Sequence, residues 1–213
     1  KDIRRAFDSS CKIFGGIDIV VSNAGAAWQG EIGTVDEKIL RKSFELNFFA
    51  HQSVAQNAVR VMRNQNLGGR LLFNISKQAI NPGENFGAYG TSKAALLSLC
   101  KQYALEYGKF GIRSNGVNAD RIESGLLTKK FIKERAKARN ISSENYLKGN
   151  LLNKKVLPDD VADAFYNLAL SILTMYLSTS SFILSLMSFS FLSHILMYGS
   201  MYWWISFRPM SLY

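Results

Sequence analysis

The 213 residues predict a doubly wound parallel α/β sheet, incomplete and followed by an apolar C-terminal tail. Three observations carry this. Short runs, IDIVVSN (17–23), RLLFNIS (70–76) and IRSNGVNA (112–119), read as strands, and the nearly continuous apolar character of the first is that of a strand covered on both faces. The segments between them are of crossover length and place apolar residues at helical spacing. Gly15-Gly16, Gly68-Gly69 and Gly108 punctuate the boundaries. Ligands bind such sheets at the carboxyl ends of the strands, so the loops that matter follow Val21, Ile75 and Val117.

Taken in order, Ile3, Phe7, Cys11 and Phe14 form a helical stripe that Gly15-Gly16 stop. The strand 17–23 runs into Ser-Asn-Ala-Gly, a tight loop. Residues 35–63 read as one long helix, with Thr34 as N-cap and Glu37 three residues on. The strand 70–76 leads into a loop over 77–87 that contains Asn81-Pro82-Gly83, and a helix follows over 88–107. After the strand 112–119, residues 125–150 look helical and polar, with a break at Gly149-Asn150. Pro158-Asp159-Asp160 opens the last helix, VADAFYNLALSI.

Composition sets bounds on function. The net charge is +10, with 47% hydrophobic and 20% charged residues. Much of the basic charge lies in stretches such as KKFIKERAKAR (129–139), where it alternates with apolar positions and Glu134. That reads as a solvated helix face rather than a nucleic-acid surface, although a phosphorylated ligand would also welcome the field. Cys11 and Cys100 stand far apart, fit no metal-ligand spacing and read as buried free thiols, which suits a reducing, cytoplasmic setting. No metal site is expected, and no signal peptide is visible in the charged first residues. The chain begins without Met in mid-helix pattern, so an N-terminal truncation is expected.

FGAYGTSKAALL (86–97) carries the chemistry. Tyr89 and Lys93 are four apart on one helix face, so the ammonium can lie beside the phenol. A phenol, ordinarily near pKa 10, is a poor base, and a nearby cation favours its phenolate. Ser76, at the adjacent strand end, supplies a hydroxyl to a substrate oxygen. Together the three groups can pass a proton at a carbonyl or alcohol oxygen while hydride moves at carbon. A lone Tyr-x-x-x-Lys is common by chance. Ser76 thirteen residues earlier, Asn23-Ala24-Gly25 after an earlier strand and Asn47 in the long helix sharpen it.

On these motifs residues 1–171 resemble a partial short-chain dehydrogenase/reductase (Rossmann-like) domain. The resemblance implies that Tyr89 is the acid/base and that Ser76 orients the substrate oxygen. Lys93 would hold the nicotinamide ribose and lower the tyrosine pKa, while Asn47 supports a proton-relay water. Asn23, Ala24 and Gly25, with Tyr89 and Lys93, would bind the cofactor, NAD or NADP. A homo-oligomer acting on a small hydroxy or carbonyl compound is implied for the full-length protein, with no nucleic-acid partner. SKQAINPGENFGAYG, NGVNADRIESGLLT and RAKARNISSENYLKGNLL resemble, more narrowly, the dehydrogenase half of bifunctional rhamnulose-1-phosphate aldolase/short-chain dehydrogenase proteins. There a class II aldolase-like domain precedes the dehydrogenase, and NAD-dependent oxidation of lactaldehyde in rhamnose catabolism is implied.

Three departures stand out. The glycine-rich phosphate loop of the family is missing from the sequence, so an inactive fragment that binds no NAD measurably is the competing expectation. The family's Pro-Gly after the strand at 112–118 is replaced by Ala119-Asp120. Asp120 and Arg121 either bind a polar substrate there or pair with each other on the surface. Last, residues 172–213 form a tail without acidic residues and with Arg208 as its one Lys or Arg. Two readings stay open for it. Residues 172–193 are long enough to span a bilayer, with Trp203-Trp204 as an interfacial belt, or the tail is an out-of-frame ending. The family's closing strand is expected to be absent either way.

Overall fold

The computed structural model describes residues 2–118, 120–124 and 127–170, and the backbone of 204–206. Four strands form one sheet in the order β3-β2-β1-β4: β1 (Ile19–Ser22), β2 (Gly69–Asn74), β3 (Ile112–Val117) and β4 (Trp204–Ser206). The first three are parallel, with Ile19 opposite Arg70 and Gly69 opposite Ile112. β4 pairs antiparallel with β1, Val21 opposite Trp204. Residues 172–193, with the proposed bilayer span, lie outside the described residues. No helix among the described residues is long and apolar enough to cross a membrane.

The strand period of two sends alternate side chains to opposite faces. Leu71, Phe73 and Ile75 enter one core with Val20 and Ile112. Leu72 and Val117 enter another with Val161 and Phe165. The first core is covered by α1 (Asp2–Phe14), α3 (Ala50–Gln65) and α4 (Gly87–Tyr107), through Phe7, Val54, Met62 and Leu96. The second is covered by α7 (Pro158–Leu170). Helices on both faces of a parallel sheet make the predicted doubly wound architecture.

Boundaries differ in instructive ways. The helix expected from residue 35 starts at α2 (Glu37–Phe44), and its N-cap is Asp36, whose carboxylate accepts the Lys38 N–H at 2.7 Å, not Thr34. A π-helical turn, Glu45–Phe49, then separates α2 from α3. The region 125–150 holds two short helices, α5 (Lys129–Lys137) and α6 (Ser143–Leu147), capped by Thr128 and Ser142. They pack on each other around Ile132, Ala136, Tyr146 and Leu147, a small core of their own. Cys100 is buried in the first core as expected, but Cys11 is only half-buried against it.

Candidate active site

β2 and β3 end side by side, and the chain leaving β2 turns at once into a single 3₁₀ turn over Lys77–Ala79. Ser76 caps that turn, its buried Oγ accepting the Gln78 N–H at 3.2 Å. α4 begins ten residues later with no side-chain cap. Its first turns are anchored from α2 instead: Ser43 Oγ donates to the Ala88 carbonyl at 3.0 Å and lies 3.1 Å from Ser92 Oγ. Gly90 permits close approach to the turn, since a Cβ there would sit 3.3 Å from the Gln78 carbonyl oxygen. Ser76 and Tyr89 thereby meet and hydrogen-bond through their side chains.

Lys93, one turn further on, is buried, and its Nζ donates to the Asn74 carbonyl at 2.8 Å. It lies 5.8 Å from the centre of the Tyr89 ring. Burial dominates both titrations. It pushes the Tyr89 phenol up to about 12, against a smaller opposing pull from the Ser76 hydrogen bond and with a further push from Asp120. It pulls the Lys93 ammonium down to about 7. The expected lowering of the tyrosine pKa by Lys93 is thus not what this protein shows. Desolvation is the largest influence on the phenol, and it disfavours the charged form.

Ser76, Tyr89, Lys93, Asn23, Gly25, Asp120 and Arg121 all line one cleft of about 430 Å³. Asn47 and Ala24 do not line it. Asn47 stands behind the loop after β1 and is fully buried in the π-helical turn, a device often found at functional sites. Its Nδ2 donates to the Ala26 carbonyl at 2.9 Å and its Oδ1 accepts the Ala26 N–H at 3.1 Å. Both ends of the amide are therefore committed to holding the loop. Of the two readings offered for Asp120 and Arg121, the ion pair is present. They pair at 3.3 Å, Lys77 joins Asp120 at 2.9 Å, and all three line the cleft.

The cofactor's nicotinamide end fits the residues present. Asn74 Oδ1 is buried without a hydrogen-bond partner, and Asn74 lines the cleft while its Nδ2 donates to Asn23 Oδ1 at 2.6 Å. Lys93 can offer further N–H donors beyond its bond to Asn74. At Gly25 a Cβ would come within 3.0 Å of Asn47 Oδ1 and 3.5 Å of Lys93 Nζ, so the missing side chain leaves room beside the ammonium. No His/Cys/Asp/Glu cluster among the described residues could hold a metal.

Three features escaped the sequence reading. His51 lies buried beneath the loop after β1, its Nδ1 2.6 Å from Ser22 Oγ. Asn74 orients Lys93, and only its place two residues before Ser76 hinted at that. Arg135, assigned to a solvated face, is buried and lines the cleft with Phe86, Phe131 and Tyr146. Its spacing from Ile132 and Ala136, the inward positions of α5, was the available signal.

Comparison with known proteins agrees with this geometry. A family model described as Enoyl-(Acyl carrier protein) reductase, of the short-chain alcohol dehydrogenase type, matches residues 1–179. An uncharacterized oxidoreductase of Bacillus subtilis, YuxG, is 34% identical over 170 residues, which are 77% of this chain and 25% of that protein. The 4-formylbenzenesulfonate dehydrogenase TsaC1/TsaC2 of Comamonas testosteroni is 31% identical over 170 residues, 79% of this chain and 66% of that one. A solved short-chain type dehydrogenase/reductase from Mycobacterium marinum superposes with a TM-score of 0.71 at 27% identity, covering 82% of this chain and 65% of its own. The chain therefore spans between a quarter and two thirds of the length of these relatives. By its sequence match and by the arrangement of its strand-end residues alike, the chain belongs to the short-chain dehydrogenase/reductase family.

Proposed function

We propose that this chain is the catalytic part of an NAD(P)-dependent oxidoreductase acting on a small hydroxy or carbonyl compound. The observation that carries the reading is the convergence of Ser76, Tyr89 and Lys93 on one cleft. Asn23, Asn74, Gly25 and Lys93 would hold the nicotinamide end of the cofactor, which when bound supplies or accepts the hydride. With its phenol pushed up to about 12, Tyr89 keeps its proton at neutral pH and is set to give it to a carbonyl oxygen in reduction. Oxidation runs the same step in reverse, the phenolate taking the proton from the substrate hydroxyl. Ser76 holds the same oxygen and stabilises the phenolate left behind. Burial that pulls Lys93 down to about 7 makes its charge responsive to its neighbours. An electron-rich neighbour such as the phenolate restores its charge, so the two groups support one another as the proton leaves.

Lactaldehyde is the substrate we favour, with NAD and a role in rhamnose catabolism beside an aldolase domain, on the narrower resemblance of residues 76–90, 115–128 and 135–152. The same resemblance supports a cytoplasmic homo-oligomer and Asp120 and Arg121 as substrate contacts. In this reading residues 1–171 are the dehydrogenase domain and 172–213 a separate tail. The test follows nicotinamide absorbance with lactaldehyde and neutral aldehydes and alcohols, using NAD and NADP in parallel. Turnover with either cofactor supports the reading. Failure of all substrates with both cofactors, in a protein that melts cooperatively, rejects it.

A further inference from the structure

We propose that the cleft takes a substrate bearing a compact oxyanion, a carboxylate or a phosphate monoester, held by Arg135 with Arg139 at the rim. This rests on the reading of the cleft as a hydride-transfer site and competes with lactaldehyde, which carries no charge, as its substrate. Asp120 is the only carboxylate among the described residues lining the cleft, against Lys77, Lys93, Arg121, Arg135 and Arg139. Asp120 is taken up by Lys77 at 2.9 Å and by Arg121 at 3.3 Å. Lys93 is bonded to Asn74. Arg135 is left with no carboxylate among the described residues, although its side chain is buried and its Nε has no hydrogen-bond partner.

A buried guanidinium without an anion is costly, and a ring face compensates only in part. Arg135 has such a face, with Cζ 5.2 Å from the centre of Phe86, and Phe86 meets Tyr89 edge-on at 6.3 Å. Arg135 thus belongs to the wall that continues to the catalytic phenol. Arg139 and Arg121 lie 5.5 and 5.0 Å from one ring, Tyr146, which gathers a second positive pair at the mouth. Arginine's planar fork suits carboxylate and phosphate oxygens. At about 430 Å³ the cleft has the size of an ordinary small-ligand site.

Calorimetry of the full chain with glycerol, glycerate and glycerol 3-phosphate tests this on one carbon skeleton. At least one anion is expected to bind tenfold or more tightly than glycerol, with the gap narrowing as salt rises. Arg135→Met should close the gap and Arg135→Lys should keep part of it. Arg139→Gln, at an exposed position, should weaken the anion about threefold without touching the fold. The two anions separate a carboxylate from a phosphate preference. Equal binding of glycerol and both anions overturns the proposal, as does undiminished anion binding in folded Arg135→Met. Should that variant not fold, undiminished binding in Arg139→Gln together with a full loss of salt dependence overturns it. Displacement of the anions by NAD would also overturn it, because the guanidinium would then serve the cofactor's phosphates. Anion preference without hydride transfer would reject only the catalytic reading. Turnover of neutral substrates with no preference for either anion over glycerol would reject only the anion site.

Discussion

The strand-end cluster and the α5–α6 segment face the same cleft but are built differently. Around the strand ends, polar groups are held by partners distant in sequence: Asn47 on Ala26, Lys93 on Asn74, Ser22 against His51, Asn74 on Asn23. Across 128–148, the bonds are mostly local: Thr128 to Phe131, Ser142 to Asn145, Lys148 to Glu144. The first rests on a core with sixteen buried members, the second on four. A segment with few buried contacts and local bonds opens at lower free energy than one locked across the sheet. Proton transfer tolerates little displacement, whereas a substrate must enter and leave. On the proposed function, the rigid region would carry the chemistry and the lightly held region recognition.

The largest effect should come from the rigid side. Tyr89→Phe removes the one proton the reaction passes and keeps the ring that packs edge-on against Phe86. Turnover should fall by roughly 10²–10⁴-fold with the melting temperature nearly unchanged. Steady-state rates beside a thermal melt check both halves, and a loss below tenfold would remove Tyr89 from its role.

Next comes the joint that holds the loop after β1. Asn47→Leu leaves both the N–H and the carbonyl of Ala26 without partners, and strips Ser43 Oγ of a donor at 3.1 Å. An orphaned buried group costs about 1–3 kcal/mol, less where it is partly buried as at Ala26, so a loss on the order of 2 kcal/mol is expected in urea unfolding. Stability within 1 kcal/mol of the parent would mean that the loop holds itself, and that the two regions differ less than their bonding suggests.

The contrast also shows what a sequence displays. Strands and helices of the body were legible because alternation and helical spacing repeat over many residues, as in Leu71-Leu72-Phe73 feeding two cores in turn. Ser76, Tyr89 and Lys93 were legible because the pattern joins a strand end to a helix start. His51 was not: its partners are 29 residues away at Ser22 and across the sheet at Phe73, 6.4 Å between ring centres. Nor was the π-helical turn, which adds a residue to a helix without changing its composition. The sign of the Tyr89 shift escaped for a different reason. Spacing reveals a neighbouring charge but not the water that both groups lose.

His51 offers a smaller and pH-dependent effect. Burial, reinforced by the Lys93 charge, pulls its pKa down to about 3, while a hydrogen bond to the Ala24 backbone works the other way. Between its ordinary value near 6.5 and about 3, the unfolded chain binds a proton that the folded one refuses. Stability from this group is thus complete above about pH 6.5 and falls with acidification. From about pH 6 to about pH 4.5 it should amount to about 2 kcal/mol. Lys93, mostly charged in both states over that window, adds little slope. Urea midpoints of the parent and of His51→Asn at several pH values test this, since the variant should show a visibly flatter acid limb. Parallel slopes would mean that His51 takes its proton without unfolding.

The smallest effect should come from the lightly held side and should spare the rest. Gly149 lies against Arg121, whose Nη1 donates to the Tyr146 carbonyl at 2.9 Å and to that of Gly149 at 3.3 Å. A Cβ at 149 would overlap the guanidinium, with Cζ at 3.1 Å. Backbone there has no left-handed requirement, so Gly149→Ala is a steric change alone. The far end of a long side chain can swing away, hence the global cost should stay below about 1 kcal/mol. What moves is Arg121, and with it the ion pair to Asp120 at the mouth of the cleft. KM should rise a few fold while kcat and the urea midpoint hold. If instead kcat falls with KM unchanged, the α5–α6 side reaches the reacting atoms. The division between a region for chemistry and a region for recognition would then be wrong.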